Sequence, residues 1–348
     1  MAAFKILSID GGGLRGVVPV TILKRIEELT GKPIWQSFNL IAGTSTGGLI
    51  ASALTIPRDP SNKANGAKLS LDDILNIYLT KGEIIFPPRH DILGKLISKI
   101  DAAIEPKYGT EGIAKVFKEV LDDAHLNDCL TDVMICCYDL ANNFPLLFKS
   151  SSSKTNPGQN IRLYDICRAT SAAPTYLPAY ELTYPIEGQK PHRLCIDGGV
   201  YINNPSMGAL AEFSRNHFYY GFGKEGEDIN YDEVFVLSIG SGTYSGPITP
   251  EQAKDEGELF WATRISDIMM RGANKVTDYE MNEMMIPGNY LRLTINIHDE
   301  EFAPMDRADS ACSDYLVRLT KQQVLDDAPT MQQLNEFLAK SGIVVDEV

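Results

Sequence analysis

Lys5-Ile6-Leu7-Ser8-Ile9-Asp10 runs straight into Gly11-Gly12-Gly13-Leu14-Arg15-Gly16, and this junction decides the fold. The first six residues form the short apolar run of a buried strand, and the glycines turn the chain at its end. Val17 to Leu29 then sets Val18, Ile22, Ile26 and Leu29 at helical spacing, until Gly31-Lys32-Pro33 stops it. The same order returns with a strand at Phe38 to Gly43 and a helix at Leu49 to Leu54. Further strands are expected at Val133 to Tyr138, Pro145 to Lys149, Arg193 to Ile196, Val234 to Ile239 and Leu291 to Ile297. Helical patterns lie between them and at Tyr315 to Leu325 and Met331 to Leu338. Strands alternating with helices predict an α/β fold, a three-layer sandwich around a mainly parallel sheet.

Of the 348 residues, 44% are hydrophobic and 22% charged, enough for a sizeable core without staples. Two polar stretches rich in turn formers, Pro57 to Lys68 and Ser150 to Asn160, read as surface loops. Neither divides the chain, so one domain over 1–348 is expected. Within it we expect a motif-bearing core at about 5–243, a cap segment at about 57–110 and a helical region at about 313–340. The formal net charge of −14 excludes nucleic acid as a partner and opposes broad adhesion to anionic bilayers. Membrane contact would have to be local and apolar. No run reaches the length of a membrane span, and the start at Met1-Ala2-Ala3-Phe4-Lys5 has no secretory pattern. Cys129, Cys136, Cys137, Cys167, Cys195 and Cys312 show no paired spacing. Cys136, Cys137 and Cys195 sit in apolar runs and are expected to be reduced and buried. A reducing, cytoplasmic setting follows, with peripheral contact at membranes.

The glycine-rich turn has three readings. Gly11, Gly13 and Gly16 satisfy G-x-G-x-x-G between a strand and a helix, the context of a dinucleotide site. That site also needs an acidic residue near the end of the next strand, where this chain has Gly43-Thr44-Ser45 instead. The second reading is an oxyanion hole, in which consecutive amides point into one cavity beside a helix N-terminus. Arg15 would brace it or add positive charge. The third is a plain tight turn.

Gly43-Thr44-Ser45-Thr46-Gly47-Gly48 contains G-x-S-x-G between a strand and a helix, where small neighbours allow a sharp turn that presents a serine. A nucleophilic serine needs a base. Of His90, His125, His192, His217 and His298, none lies in a glycine-flanked loop near the end of the chain. His298 is the nearest candidate for a triad. Leu194-Cys195-Ile196-Asp197-Gly198-Gly199-Val200 offers a carboxylate at the end of an apolar strand, where burial raises its pKa and makes it a better base.

Asp10 to Gly16, Gly43 to Gly47 and Asp197-Gly198-Gly199, in this order, resemble the patatin-like phospholipase family. Tyr164 to Pro178 and Val236 to Gly242 are similar to the family's flanking segments, so the likeness runs from about Lys5 to Thr243. One departure is Ser241, where many members carry threonine. The resemblance implies a patatin-like catalytic domain that hydrolyses acyl esters of phospholipids, galactolipids or related lipids. Ser45 would be the nucleophile and Asp197 the base. Gly11, Gly12, Gly13, Leu14 and Arg15 would carry the oxyanion hole, with Gly43, Gly47, Gly198 and Gly199 as supporting turns. It implies no histidine, metal or other cofactor. An acyltransferase using the same pair and a catalytically silent lipid-binding or storage protein are the alternatives.

A lipid substrate and transient contact with a membrane or micelle surface are therefore expected. Asp91 to Ile104 sets Ile92, Leu93, Leu96, Ile97, Ile100 and Ile104 on one helical face after the apolar run Ile84-Ile85-Phe86-Pro87-Pro88. Together they suit either a cap or ordinary packing. Met269, Met270, Met281, Met284 and Met285 suit either an acyl-chain channel or a core. Head group, chain length, cleavage position and oligomeric state are not legible.

Overall fold

Strand β1 (Phe4–Ile9) lies inside the sheet, with Phe4 and Ile6 on one face and Leu7 and Ile9 on the other all buried. The computed structural model describes residues 3–87, 106–183, 192–224, 226–244, 246, 248–255 and 258–344. β2 (Leu40–Thr44), β3 (Asp132–Asp139), β7 (Val234–Ile239) and β9 (Tyr290–Leu293) join β1 in the parallel order β3-β2-β1-β7-β9. β4 (Phe144–Lys149) and β6 (His192–Asp197) both run antiparallel to β3, and β5 (Tyr180–Thr183) pairs with β6. β1, β2 and β7 are buried almost throughout, as a parallel sheet covered on both faces requires.

Alternation along each strand divides the core. Leu7, Ile9, Ile41, Ile135 and Leu237 pack with helices Val17–Thr30, Thr46–Thr55, Leu71–Ile85, Glu111–Leu121 and Leu163–Thr170 on one side. Phe4, Ile6, Leu40, Met134 and Val236 face the other side, against Leu210 and Phe213 of helix Ser206–Asn216 and Met281 of helix Glu258–Met284. Helices on both faces of a mainly parallel sheet make the expected sandwich.

Two expectations change. Ser150 to Asn160 is not a surface loop throughout: Ser150–Thr155 is a short helix with Ser150, Ser151 and Ser153 buried. Its hydroxyls are used inside, with Ser150 Oγ accepting from the Val133 amide at 2.9 Å and Ser151 bonding Glu212. The stretch Leu291 to Ile297 is not one strand. β9 ends at Leu293, and β10 (Asn296–Ile297) pairs with β8 (Thr243–Tyr244) in a separate ladder. Pro57 to Lys68 is a largely exposed loop, as read. Asp91 to Ile104 lies outside the described residues. All six cysteines are buried free thiols.

The antiparallel course of β6 controls the geometry that follows. β2 pairs with Asp132 to Cys136 of β3, while β4 covers Met134 to Asp139. Those spans overlap, so β2 and β4 occupy opposite edges of β3. β6 pairs with Cys137 to Asp139, which β4 also covers, so β6 shares the β2 edge. Two strands therefore meet end to end on one edge. Thr44 stands opposite Cys136, and Asp197 stands opposite Cys137, the next rung.

Candidate active site

Ser45 follows Thr44 at the point where β2 stops, and Asp197 is the last residue of β6 coming the other way. Sequence reading put each at the end of an apolar strand, in a sheet expected to be mainly parallel. They meet because two opposed strands abut, the overhang of β3 carrying one of them.

The elbow at Ser45 is strained and held. Ser45 has φ 54 and ψ −122, which only a tightly determined turn maintains in a residue with a side chain, at a cost of about 1–3 kcal/mol. Its amide donates to Thr170 Oγ1 at 2.8 Å, and the Thr170 hydroxyl donates in turn to the Cys136 carbonyl. Gly43 and Gly47 leave the space: a Cβ on Gly47 would stand 2.1 Å from the Ile9 carbonyl oxygen, and one on Gly43 2.2 Å from that of Gly47. Ser45 caps helix Thr46–Thr55, whose N-terminal dipole favours a developing alkoxide.

Asp197 is buried, with its amide bonded to the Ala172 carbonyl at 3.0 Å and Oδ1 accepting from the Gly199 amide at 2.7 Å. Burial pushes its carboxyl up to about 6, while hydrogen bonding from the Ser45 hydroxyl and the Gly199 amide draws it partly back. Gly198 packs on the Cys136 carbonyl, and Gly199 lies beside Met270.

The glycine loop packs directly on the serine, since a Cβ on Gly11 would stand 3.2 Å from Ser45 Cβ. Not all of its amides are free. Gly11 donates to the Asn203 carbonyl at 3.1 Å, Leu14 to that of Met305 at 2.8 Å and Arg15 to that of Gly12 at 3.1 Å. The expected oxyanion hole over Gly11 to Arg15 thus narrows, because a committed N–H cannot serve a reacting oxygen. Gly12 and Gly13 keep amides without an acceptor among the described residues, and both line the same cavity as Ser45 and Asp197. Arg15 lines a neighbouring polar cavity of about 280 Å³, and its Nη1 reaches the Ala303 carbonyl at 3.4 Å.

The cavity over Ser45 measures about 290 Å³ and is walled by apolar side chains, among them Leu49, Ile85, Phe86, Phe117, Leu177 and Met270. The methionines divide: Met269 and Met270 line this cavity, Met281 and Met285 belong to the core, and Met284 is exposed. His298 is exposed and contacts Gln323, while His217 is bound by two carbonyls away from the cavity. Among the described residues no histidine lines the cavity and no metal-binding cluster occurs.

Residues missed by sequence reading hold the site from below. Asp10 forms a two-pronged pair with Arg292 of β9, at 2.6 and 3.2 Å, and Arg292 also donates to Ser238 Oγ at 2.6 Å. Asn204 Oδ1 accepts from the Ser206 amide at 3.0 Å and from Ser8 Oγ at 3.3 Å, tying the loop after Asp197 to β1. Nothing in the sequence marked Arg292. Thr170 lay inside a quoted segment without a role.

Fold and site together define a class: an α/β sandwich whose serine elbow and aspartate loop line one apolar cavity. The family model of the patatin-like phospholipases, described as "Patatin-like phospholipase", matches residues 7–210. The chain belongs to that family. It is 30% identical to Patatin-2-Kuras 3 of Solanum tuberosum over 344 residues, covering 93% of this chain and 85% of the relative. It is 31% identical to Patatin-like protein 2 of Oryza sativa subsp. indica over 339 residues, covering 90% and 82%. It is also 29% identical to Probable inactive patatin-3-Kuras 1 of Solanum tuberosum over 341 residues, covering 92% and 87%. Family membership supports lipid acyl hydrolase activity. Among the described residues, no helix is long and apolar enough to cross a membrane.

Proposed function

We infer that the protein hydrolyses carboxylic esters of membrane or storage lipids, with Ser45 as nucleophile and Asp197 as its base. The observation that carries this reading is that Ser45 and a carboxyl raised to about 6, both buried, line one apolar cavity. Asp197 takes the Ser45 proton as Oγ attacks the ester carbonyl. The Gly12 and Gly13 amides donate to the resulting oxyanion. Collapse expels the alcohol, which leaves with the proton from Asp197, and the acyl group stays on Ser45. Asp197 then takes a proton from water, water attacks the acyl-enzyme, and the fatty acid departs as Oγ regains its proton. The apolar walls suit the acyl chain, and the substrates are phospholipids, galactolipids or related lipids.

The same residues would pass the acyl group to another alcohol if one reached the acyl-enzyme before water. A silent lipid-binding role also has a specific motive, since one similar relative is named a probable inactive patatin. Product analysis on mixed phospholipids and galactolipids separates these readings. The wild type is expected to release fatty acid and to take a fluorophosphonate label, and Ser45→Ala to do neither. Equal labelling of both proteins would overturn the nucleophile. A stoichiometric transfer product without fatty acid would favour acyl transfer, and no turnover of any lipid would favour silence.

A further inference from the structure

Helix Glu258–Met284 carries an apolar stripe on its exposed side. Ile265, Met269, Val276 and Tyr279 are 46%, 49%, 56% and 65% exposed, with Gly272 between them. Their spacings of four, three, four and three residues put all five positions within one narrow strip at 3.6 residues per turn. The strip is about 21 Å long at 1.5 Å per residue. The opposite side of the helix packs inward: Asn274 donates to Asp10 at 3.3 Å, Asp278 accepts from Tyr290 at 2.8 Å, and Met281 sits in the core. The stripe is thus not a packing face of this chain among the described residues.

Its position gives it a use. Ile265 and Met269 are half exposed, yet both also line the cavity over Ser45, so the stripe begins at the cavity mouth. We propose that this stripe is the surface by which the protein lies on a zwitterionic lipid surface, with the cavity mouth facing the acyl chains. A protein partner seated on Ile265 and Met269 would cover the mouth. A lipid surface seated there lets an acyl chain pass into the cavity without crossing water. The net charge of −14 makes an anionic bilayer the less favourable support, so attachment must come from apolar contact and from the amphipathic ring of Tyr279. The assignment rests on the lipid reading above, but its test does not need turnover.

The experiment is flotation of the full chain with phosphatidylcholine vesicles, comparing wild type with the double change Val276→Asp and Tyr279→Asp. Neither residue lines the cavity. The wild type is expected to float, and the double variant to partition at least tenfold more weakly. Turnover of a soluble short-chain ester should stay within twofold and so report an intact fold. The apolar pair Val276→Leu and Tyr279→Trp should retain binding. Equal flotation of the wild type and the aspartate variant would overturn the assignment, as would failure of the wild type to bind. So would sedimentation showing a wild-type dimer that the aspartates dissociate, since the stripe would then cover a second copy. If no ester were turned over but flotation behaved as expected, the hydrolase reading would fail and the surface would stand.

Discussion

In the mechanism proposed above, Asp197 removes a proton from an alcohol with no imidazole between, and its environment bears on that task. Raised to about 6 by burial, it is ionised at neutral pH yet basic enough to share a proton with Ser45. The pH–rate profile of kcat/KM should therefore show an acid limb with its midpoint near 6, falling as Asp197 gains a proton. Asp197→Asn should lower turnover by roughly 10²–10⁴ with little change in lipid binding. The same shift acts on stability with a definite sign. In the folded chain the carboxyl holds its proton to about pH 6, and in the unfolded chain only to about pH 4. Ionised Asp197 thus opposes folding, fully above pH 6 and not at all below about pH 4. Asp197→Asn should raise stability by roughly 1–3 kcal/mol at pH 7.5, and the gain should vanish at pH 4. Thermal unfolding at both values measures this, and a destabilised variant at pH 7.5 would contradict it.

At the scale of elements, the site depends on strands that contribute no candidate catalytic group. β9 supplies Arg292 to Asp10 across β7, and both partners are almost wholly buried. Removing one member of such a pair leaves the other charge without compensation, so Arg292→Met should cost about 3–5 kcal/mol in chemical denaturation. Replacing both, as Asp10→Asn with Arg292→Met, should recover a large part of that loss. Sequence reading reached the parallel strands and their helices because buried apolar runs bounded by glycine are local signals. It singled out Ser45, Asp197 and the glycine loop for the same reason. Arg292 gave no local signal, being 282 positions from Asp10. The direction of β6 was also hidden, since Arg193 to Ile196 reads alike whichever way it runs. The glycine loop looked like five equal donors because only the fold shows which amides Asn203, Met305 and Gly12 already hold.

For the whole molecule, charge and apolar surface point in different directions. A net charge of −14 should make the protein avoid anionic vesicles, while the stripe on Glu258–Met284 should bind neutral ones. Binding to phosphatidylcholine should accordingly survive 0.5 M salt, where the Debye length falls to roughly 4 Å. Binding to vesicles containing phosphatidylserine should be weaker at low salt and rise as salt is added. A loss of binding on adding salt to either vesicle would show that charge, not apolar contact, holds the protein. The stripe escaped sequence reading because spacing identifies a helical face without saying whether the face turns inward. Met269 illustrates this, being both a cavity wall and a surface residue.

The abutment of β2 and β6 on β3 has a consequence for how such a site can change. Along a strand, positions come in steps of about 3.3 Å, and no fraction of a step is available. Thr44 and Asp197 face adjacent rungs, Cys136 and Cys137, so no empty rung lies between the two chain ends. One residue inserted in β6 just before Asp197 would displace the carboxylate by a whole step, more than the full length of a hydrogen bond. Drift toward a looser or tighter pair is closed to this protein; its lineage could lengthen loops and reshape cavity walls freely, but could alter this spacing only by a jump.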